Sequence, residues 1–175
     1  MKVALIPGSF DPFHNGHLAV VELAARHFDQ VVVAAVRNPG KEPLFTLEDR
    51  ELMLKECLEH LHNVSSRAFS GLVVDLAAEV GATAIVKGLR AVSDLENELQ
   101  MAQMNHRMSG IDTIFVPATS SASFLASKYI KEFARGGRVA DMVSMVPDLV
   151  ANRLIEKFQD PQKAKDPHHA QDGAT

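Results

Sequence analysis

Ten residues near the amino end carry the densest chemistry in the chain: Gly8-Ser9-Phe10-Asp11-Pro12-Phe13-His14-Asn15-Gly16-His17. They follow an apolar run, Val3 to Ile6, and precede apolar residues at helical spacing, Leu18, Val21, Ala25 and Phe28. A strand-to-helix turn of this kind is where α/β proteins bind phosphate, because a helix start offers unsatisfied N–H groups and the positive end of its dipole. Gly8 permits a sharp exit from the strand, Ser9 supplies a hydroxyl, and His14 and His17 flank a glycine that lets a ligand approach the backbone. His17 begins the helix, so backbone N–H groups are expected to hold phosphate beside its imidazole. Asp11 reads as a turn or capping residue rather than a general base.

Two later segments bring cations. Asn38-Pro39-Gly40-Lys41-Glu42-Pro43-Leu44-Phe45 follows a second apolar run, and Lys41 would enter the crevice as a phosphate-binding point charge. Val86-Lys87-Gly88-Leu89-Arg90 brackets a glycine with Lys87 and Arg90. Either segment alone is an ordinary solvated turn; together with the histidine motif they read as a triphosphate clamp. No Cys or His cluster has metal-ligand spacing, so no metal-ligating residue is assigned. Cys57 reads as a small packing residue, and Met101, Met104 and Met108 as core or subunit contacts.

These segments must be positioned by regular structure. Apolar runs at residues 2–6, 30–36, 63–68, 83–86 and 112–116 read as strands, the run 30–36 being continuous enough to be covered on both faces. Between them, residues 16–28, 46–60, 72–80 and 93–108 read as helices, and 128–134 and 147–158 as two more. Thr46-Leu47-Glu48-Asp49 and Ser93-Asp94-Leu95-Glu96 give capping-box starts. This alternation predicts an α/β fold: a doubly wound, mostly parallel, five-stranded, Rossmann-like sheet with helices on both faces. Ligands then bind beyond the carboxyl ends of the strands.

The chain has 175 residues, 46% hydrophobic and 23% charged, which suits one domain over residues 1–158. Residues 159–175 lack apolar periodicity and read as a disordered polar tail. Eighteen Lys and Arg against 22 Asp and Glu give a net charge of −4, which argues against a nucleic-acid or anionic-membrane partner. No apolar run approaches the ~18 residues of a membrane span, and the first run is too short for a signal peptide. A single cysteine fits a reducing, cytoplasmic setting.

The segment Gly8–His17 resembles the signature of the nucleotidyltransferase superfamily that shares its H-x-G-H element with class I aminoacyl-tRNA synthetases. With Asn38–Thr46 and Lys87–Asn105 added, residues 1–158 closely resemble the bacterial phosphopantetheine adenylyltransferase family. That resemblance implies adenylyl transfer from ATP to 4′-phosphopantetheine in coenzyme A biosynthesis, giving 3′-dephospho-CoA and pyrophosphate. It also implies Mg²⁺ and a homohexamer.

By the same resemblance, His17, Lys41 and Arg90 would be catalytic. Ser9, Phe10, His17, Gly88, Leu89, Arg90 and Glu98 would belong to the ATP site, with a second nucleotide segment at Ala122, Ser123, Phe124, Leu125, Ala126, Ser127 and Lys128. Ser9, Lys41, Leu72, Val73 and Lys87 would bind the acceptor. His17, Lys41, Lys87, Arg90 and Mg²⁺ would supply the charge. The second nucleotide segment departs from the family pattern. Ala122 replaces an aromatic, Ala126 loses a hydroxyl and Lys128 puts a cation where a hydroxyl is usual; Asn97 also replaces a frequent Tyr. The histidine motif alone leaves other readings open: a nicotinate-mononucleotide type of transferase, or a non-catalytic nucleotide-binding protein on the same fold.

Overall fold

The computed structural model describes residues 1–37, 40, 42–90, 92–118 and 123–159. Five strands, β1 (Val3–Gly8), β2 (Gln30–Val36), β3 (Val64–Phe69), β4 (Ala84–Leu89) and β5 (Asp112–Pro117), form one sheet in the order β3-β2-β1-β4-β5. Every pairing is parallel. Helices α1 (Asn15–His27), α2 (Leu47–Cys57), α3 (Val73–Glu79) and α4 (Val92–Ser109) make the crossovers, and α5 (Ser127–Arg135), α6 (Val139–Met142) and α7 (Asp148–Gln159) follow β5. The expected fold class holds.

The central strands β1 and β2 are buried on both faces, as the continuous apolar character of residues 30–36 requires. Side chains alternate along a strand, so Ala4, Ile6, Val31, Val33 and Ala35 enter the larger core with residues of α1, α2, α5, α6 and α7. Val3, Leu5, Val32 and Ala34 enter the smaller core, with Leu76 and Ala77 of α3 and Ile111. Thr46 caps α2 in the expected reciprocal box with Asp49.

Two differences from expectation have local causes. Strand β4 does not stop at Val86 but runs through Gly88 to Leu89, because β5 continues to pair with it there, Gly88 with Val116 and Leu89 with Pro117. The short helix α6 and the 3-10 turn at Val143–Met145 were not expected; at four and three residues they are too short to show a helical period.

The sheet opens where the site lies. β1 and β2 stay paired as far as Gly8 and Ala35. β1 and β4 pair only at Ala4–Ala84 and Leu5–Ile85, then part. Their carboxyl ends diverge at the point where strand order reverses, the place a doubly wound sheet offers a ligand.

Candidate active site

The gap between β1 and β4 opens into a cavity of about 650 Å³. Its floor is Pro7 and Gly8 of β1 with Val86 and Gly88 of β4. Ser9, Phe10, His14 and His17 line it from the loop and α1, Lys87 and Arg90 from the end of β4, and Ala126, Ser127 and Lys128 from the start of α5.

Two glycines make the floor possible. A Cβ on Gly8 would lie 2.8 Å from the Phe10 ring, and one on Gly88 would lie 2.9 Å from Cγ2 of Val20 on α1. Phe10 itself adopts a positive φ of 47°, which folds its ring back over Gly8 and into the core.

The two histidines form a reciprocal cap. His14 is the N-cap of α1, and its Nδ1 accepts the N–H groups of Gly16 and His17 at 3.1 and 3.3 Å. His17 Nδ1 accepts the His14 N–H at 3.2 Å. Each acceptor Nδ1 leaves the ring proton on Nε2, so neutral His17 is an Nε2–H donor beside the cavity. Burial, aided by the Arg90 charge, lowers the His14 pKa to about 4. Burial holds His17 well below its ordinary value, with His14, Arg90 and Lys87 adding to the effect.

Two expectations are corrected here. Burial makes His17 a neutral, oriented donor rather than the charge supplier expected. The N–H groups of Gly16 and His17 are also taken by His14 and do not face phosphate. The start of α5, like that of α3, has no side-chain cap: its N-cap residue is Ala126, and Ser127 and Lys128 line the cavity. A helix start of this kind retains N–H groups and dipole for an anion.

The cations are held in place. Lys87 pairs with Glu98 at 3.3 Å, and Arg90 Nη1 donates to the Leu125 carbonyl at 2.9 Å, joining the end of β4 to the segment before α5. The Ser127 hydroxyl donates to the Pro12 carbonyl at 2.9 Å, so its side chain braces the first loop.

Other assigned residues lie elsewhere. Val73 lines the cavity, but Leu72 stands outside it as the N-cap of α3, 57% exposed. Leu89, Ser123, Phe124 and Leu125 do not line it, and Phe124 is 60% exposed. Lys41 and Ala122 lie outside the described residues, as do residues 160–175 of the expected tail.

Sequence reasoning missed four residues that the site uses. Arg37 lines the cavity from the end of β2, and a cation directly after an apolar run was the available signal. Asn97 lines it from α4. Arg50, 4% exposed, donates to the Ser9 carbonyl at 2.7 Å and to Thr46 and Val36 carbonyls, tying together the ends of β1 and β2 and the start of α2. Asp11 stands in the turn between β1 and α1, as expected, but it does more than shape that turn. It is 4% exposed, and its carboxylate accepts from three distant groups.

The donors do not fit a protein-held magnesium ion. Among the described residues no three His, Cys, Asp or Glu gather as a metal set, and Glu98, the one carboxylate lining the cavity, is paired with Lys87. Magnesium would therefore arrive as part of a nucleotide substrate.

Comparison with known proteins decides the family. The Cytidylyltransferase-like family model matches residues 5–133. The phosphopantetheine adenylyltransferase of Alkaliphilus oremlandii is 46% identical over 159 residues, 90% of this chain and 100% of that one. The chain belongs to the phosphopantetheine adenylyltransferase family. The family's Heliobacterium modesticaldum member is also 46% identical, over 95% of this chain and 99% of its own. A solved structure provisionally assigned as a nicotinate-nucleotide adenylyltransferase, from Vibrio parahaemolyticus, shares the fold. It is 17% identical with a TM-score of 0.62 over 89% of this chain and 99% of that one.

Proposed function

We propose that this protein transfers the adenylyl group of ATP to the phosphate of 4′-phosphopantetheine, giving 3′-dephospho-CoA and pyrophosphate. The observation that carries this reading is the 46% identity over nearly the whole length of two phosphopantetheine adenylyltransferases. The splayed cavity supports it, because its lining suits a triphosphate.

An acceptor phosphate is already an anionic nucleophile, so no general base is needed. One of its oxygens attacks the α-phosphorus, the bond from that phosphorus to the α–β bridging oxygen breaks, and pyrophosphate leaves with the electron pair. Catalysis is then alignment and charge stabilisation. His17 Nε2–H, Arg90 and the uncapped start of α5 serve the nucleotide phosphates. Lys87, Lys41 and Ser9 serve the acceptor phosphate, and Val73 its pantetheine arm. Binding of the triphosphate raises the proton affinity of His17, opposing the cations that depress it. Magnesium enters on the phosphate oxygens as MgATP.

The reading extends to a homohexamer in the cytoplasm. Leu95, Leu99, Met101, Met104 and Met108 are exposed on α4, and Ile114 on the edge strand β5, an apolar supply for contact between copies. One cysteine among 175 residues suits a reducing compartment. Among the described residues no helix is long and apolar enough to cross a membrane.

The test is pyrophosphate release from MgATP with a panel of phosphate acceptors. Turnover should be fastest with 4′-phosphopantetheine. Equal or better turnover of nicotinate mononucleotide overturns the substrate, and no release with any acceptor favours a binding protein. Light scattering checks the assembly against six times the 19.1 kDa chain mass; a monomer overturns that part.

A further inference from the structure

We infer that Asp11, with Lys131 of α5, is a positioning pin that sets the acceptor and nucleotide sides of the cavity in register. The carboxylate joins three separated pieces of chain. Oδ1 accepts the Phe45 N–H at 2.9 Å, and Oδ2 accepts the Leu44 N–H at 2.9 Å and Lys131 Nζ at 2.9 Å. Leu44 and Phe45 close the segment that carries Lys41 in sequence. Lys131 lies one turn beyond Ser127 and Lys128, which line the cavity. Asp11 itself follows Ser9 and Phe10, which line the cavity from the first loop.

The arrangement is a built one. The side chains of Asp11 and Lys131 are 6% and 15% exposed, so the pair is screened far less than a surface pair. A second cation, Arg50, lies near enough to feel the carboxylate. Beside the pin, the Ser127 hydroxyl donates to the Pro12 carbonyl, a neutral bond between the first loop and α5. Asp11, Leu44, Phe45 and Lys131 do not line the cavity, so Asp11 acts through the residues it holds.

The expected signature follows from that role, and it rests on the adenylyl-transfer reading above. Losing the pin leaves each half of the site intact while loosening their mutual alignment. Misplacement of ~1 Å can reduce a rate ~10²-fold without a matching loss of binding. Asp11→Asn and, separately, Lys131→Gln should each lower kcat at least tenfold, with KM for ATP and for the acceptor within about threefold. The double variant should be no worse than the poorer single one, because both remove the same constraint. Glu79→Gln is the control: it breaks the exposed Arg67–Glu79 pair, at 2.9 Å, neither member of which lines the cavity, and should leave kcat unchanged.

A structural readout accompanies the kinetics. The Leu44 and Phe45 amides should exchange hydrogen at least tenfold faster in Asp11→Asn than in the unaltered protein. A kcat within twofold of the unaltered enzyme in Lys131→Gln overturns the inference. So does an additive double variant, or a loss that tracks the unfolded fraction seen by circular dichroism. If Asp11→Asn does not fold, Lys131→Gln alone decides. If the unaltered protein transfers no adenylyl group, the function reading has failed. The pin is then judged by exchange, and unchanged protection of Leu44 and Phe45 in both variants rejects it.

Discussion

The rings of His14 and His17 stack with centroids 3.6 Å apart, and each Nδ1 accepts a backbone N–H from the other residue. This mutual arrangement fixes both tautomers before any substrate arrives. It makes one histidine the cap and leaves the other's Nε2–H for the cavity.

His17→Ala should therefore damage chemistry more than binding. The His14 cap survives, and on the proposed reading Arg90 and the start of α5 still hold ground-state ATP. The charge that grows on departing pyrophosphate has fewer substitutes. Removing one preorganised donor costs ~10²–10³ in kcat. ATP affinity from calorimetry should change less than tenfold, with melting temperature measured on the same preparation. A near-normal kcat, or a loss confined to affinity or folding, would sink the role.

Acid should destabilise the protein through His14. Its folded pKa is lowered to about 4 from an ordinary 6.5, so the unfolded chain binds the proton more tightly. The stabilising neutral form is fully present above pH 6.5. Stability then falls as pH drops from 6.5 toward 4, and His17, also held well below its ordinary value, adds a fall of the same sign. Melting temperature scanned from pH 7.5 to 4 should show this decline, and His14→Asn, which keeps a capping acceptor, should lessen its slope. An equal slope in the variant refutes the assignment.

Gly88→Ala should destabilise the fold by ~1–3 kcal/mol, the usual scale of overpacking, because its Cβ would meet Val20 at 2.9 Å. Trimming the obstacle in Gly88→Ala/Val20→Ala should recover part of that loss relative to the sum of the single changes. Urea melts of the four proteins provide the measurement.

Lys128→Ser should shift ATP affinity by less than about 1 kcal/mol, the scale of an exposed charge contact. Lys128 is exposed at the cavity, and its Nζ lies 5.9 Å from the Tyr129 ring centroid. The nearby anion-binding capacity lies in the uncapped backbone of α5, which the substitution leaves in place. A tenfold or greater loss would make the lysine a ligand in its own right.

The fold was legible because its signals are local. Val31 to Ala35 are apolar without interruption, Thr46 and Asp49 sit at capping distance, and each strand is followed by its own turn residues. The histidine motif could likewise be placed at a strand-to-helix turn. The charge state of His17 could not, since it depends on burial and on Arg90 and Lys87 brought from another strand. The turn at Asp11 was legible for the same local reason, but the partners of its carboxylate were not, since they lie 33, 34 and 120 residues away. Leu72 was placed by resemblance one position from Val73, but at the start of α3 neighbouring side chains diverge, and only Val73 reaches the cavity.

The span from Asp11 to Lys131 also bears on how the protein comes into being. On the ribosome the first loop emerges early, and its carboxylate must wait through 120 residues of synthesis for the ammonium that completes its shell. The cavity wall contributed by Ser127 and Lys128 arrives just before that ammonium. A nascent chain halted at any earlier point lacks both that wall and the ammonium, so a prematurely terminated product is an incomplete vessel rather than a slower enzyme.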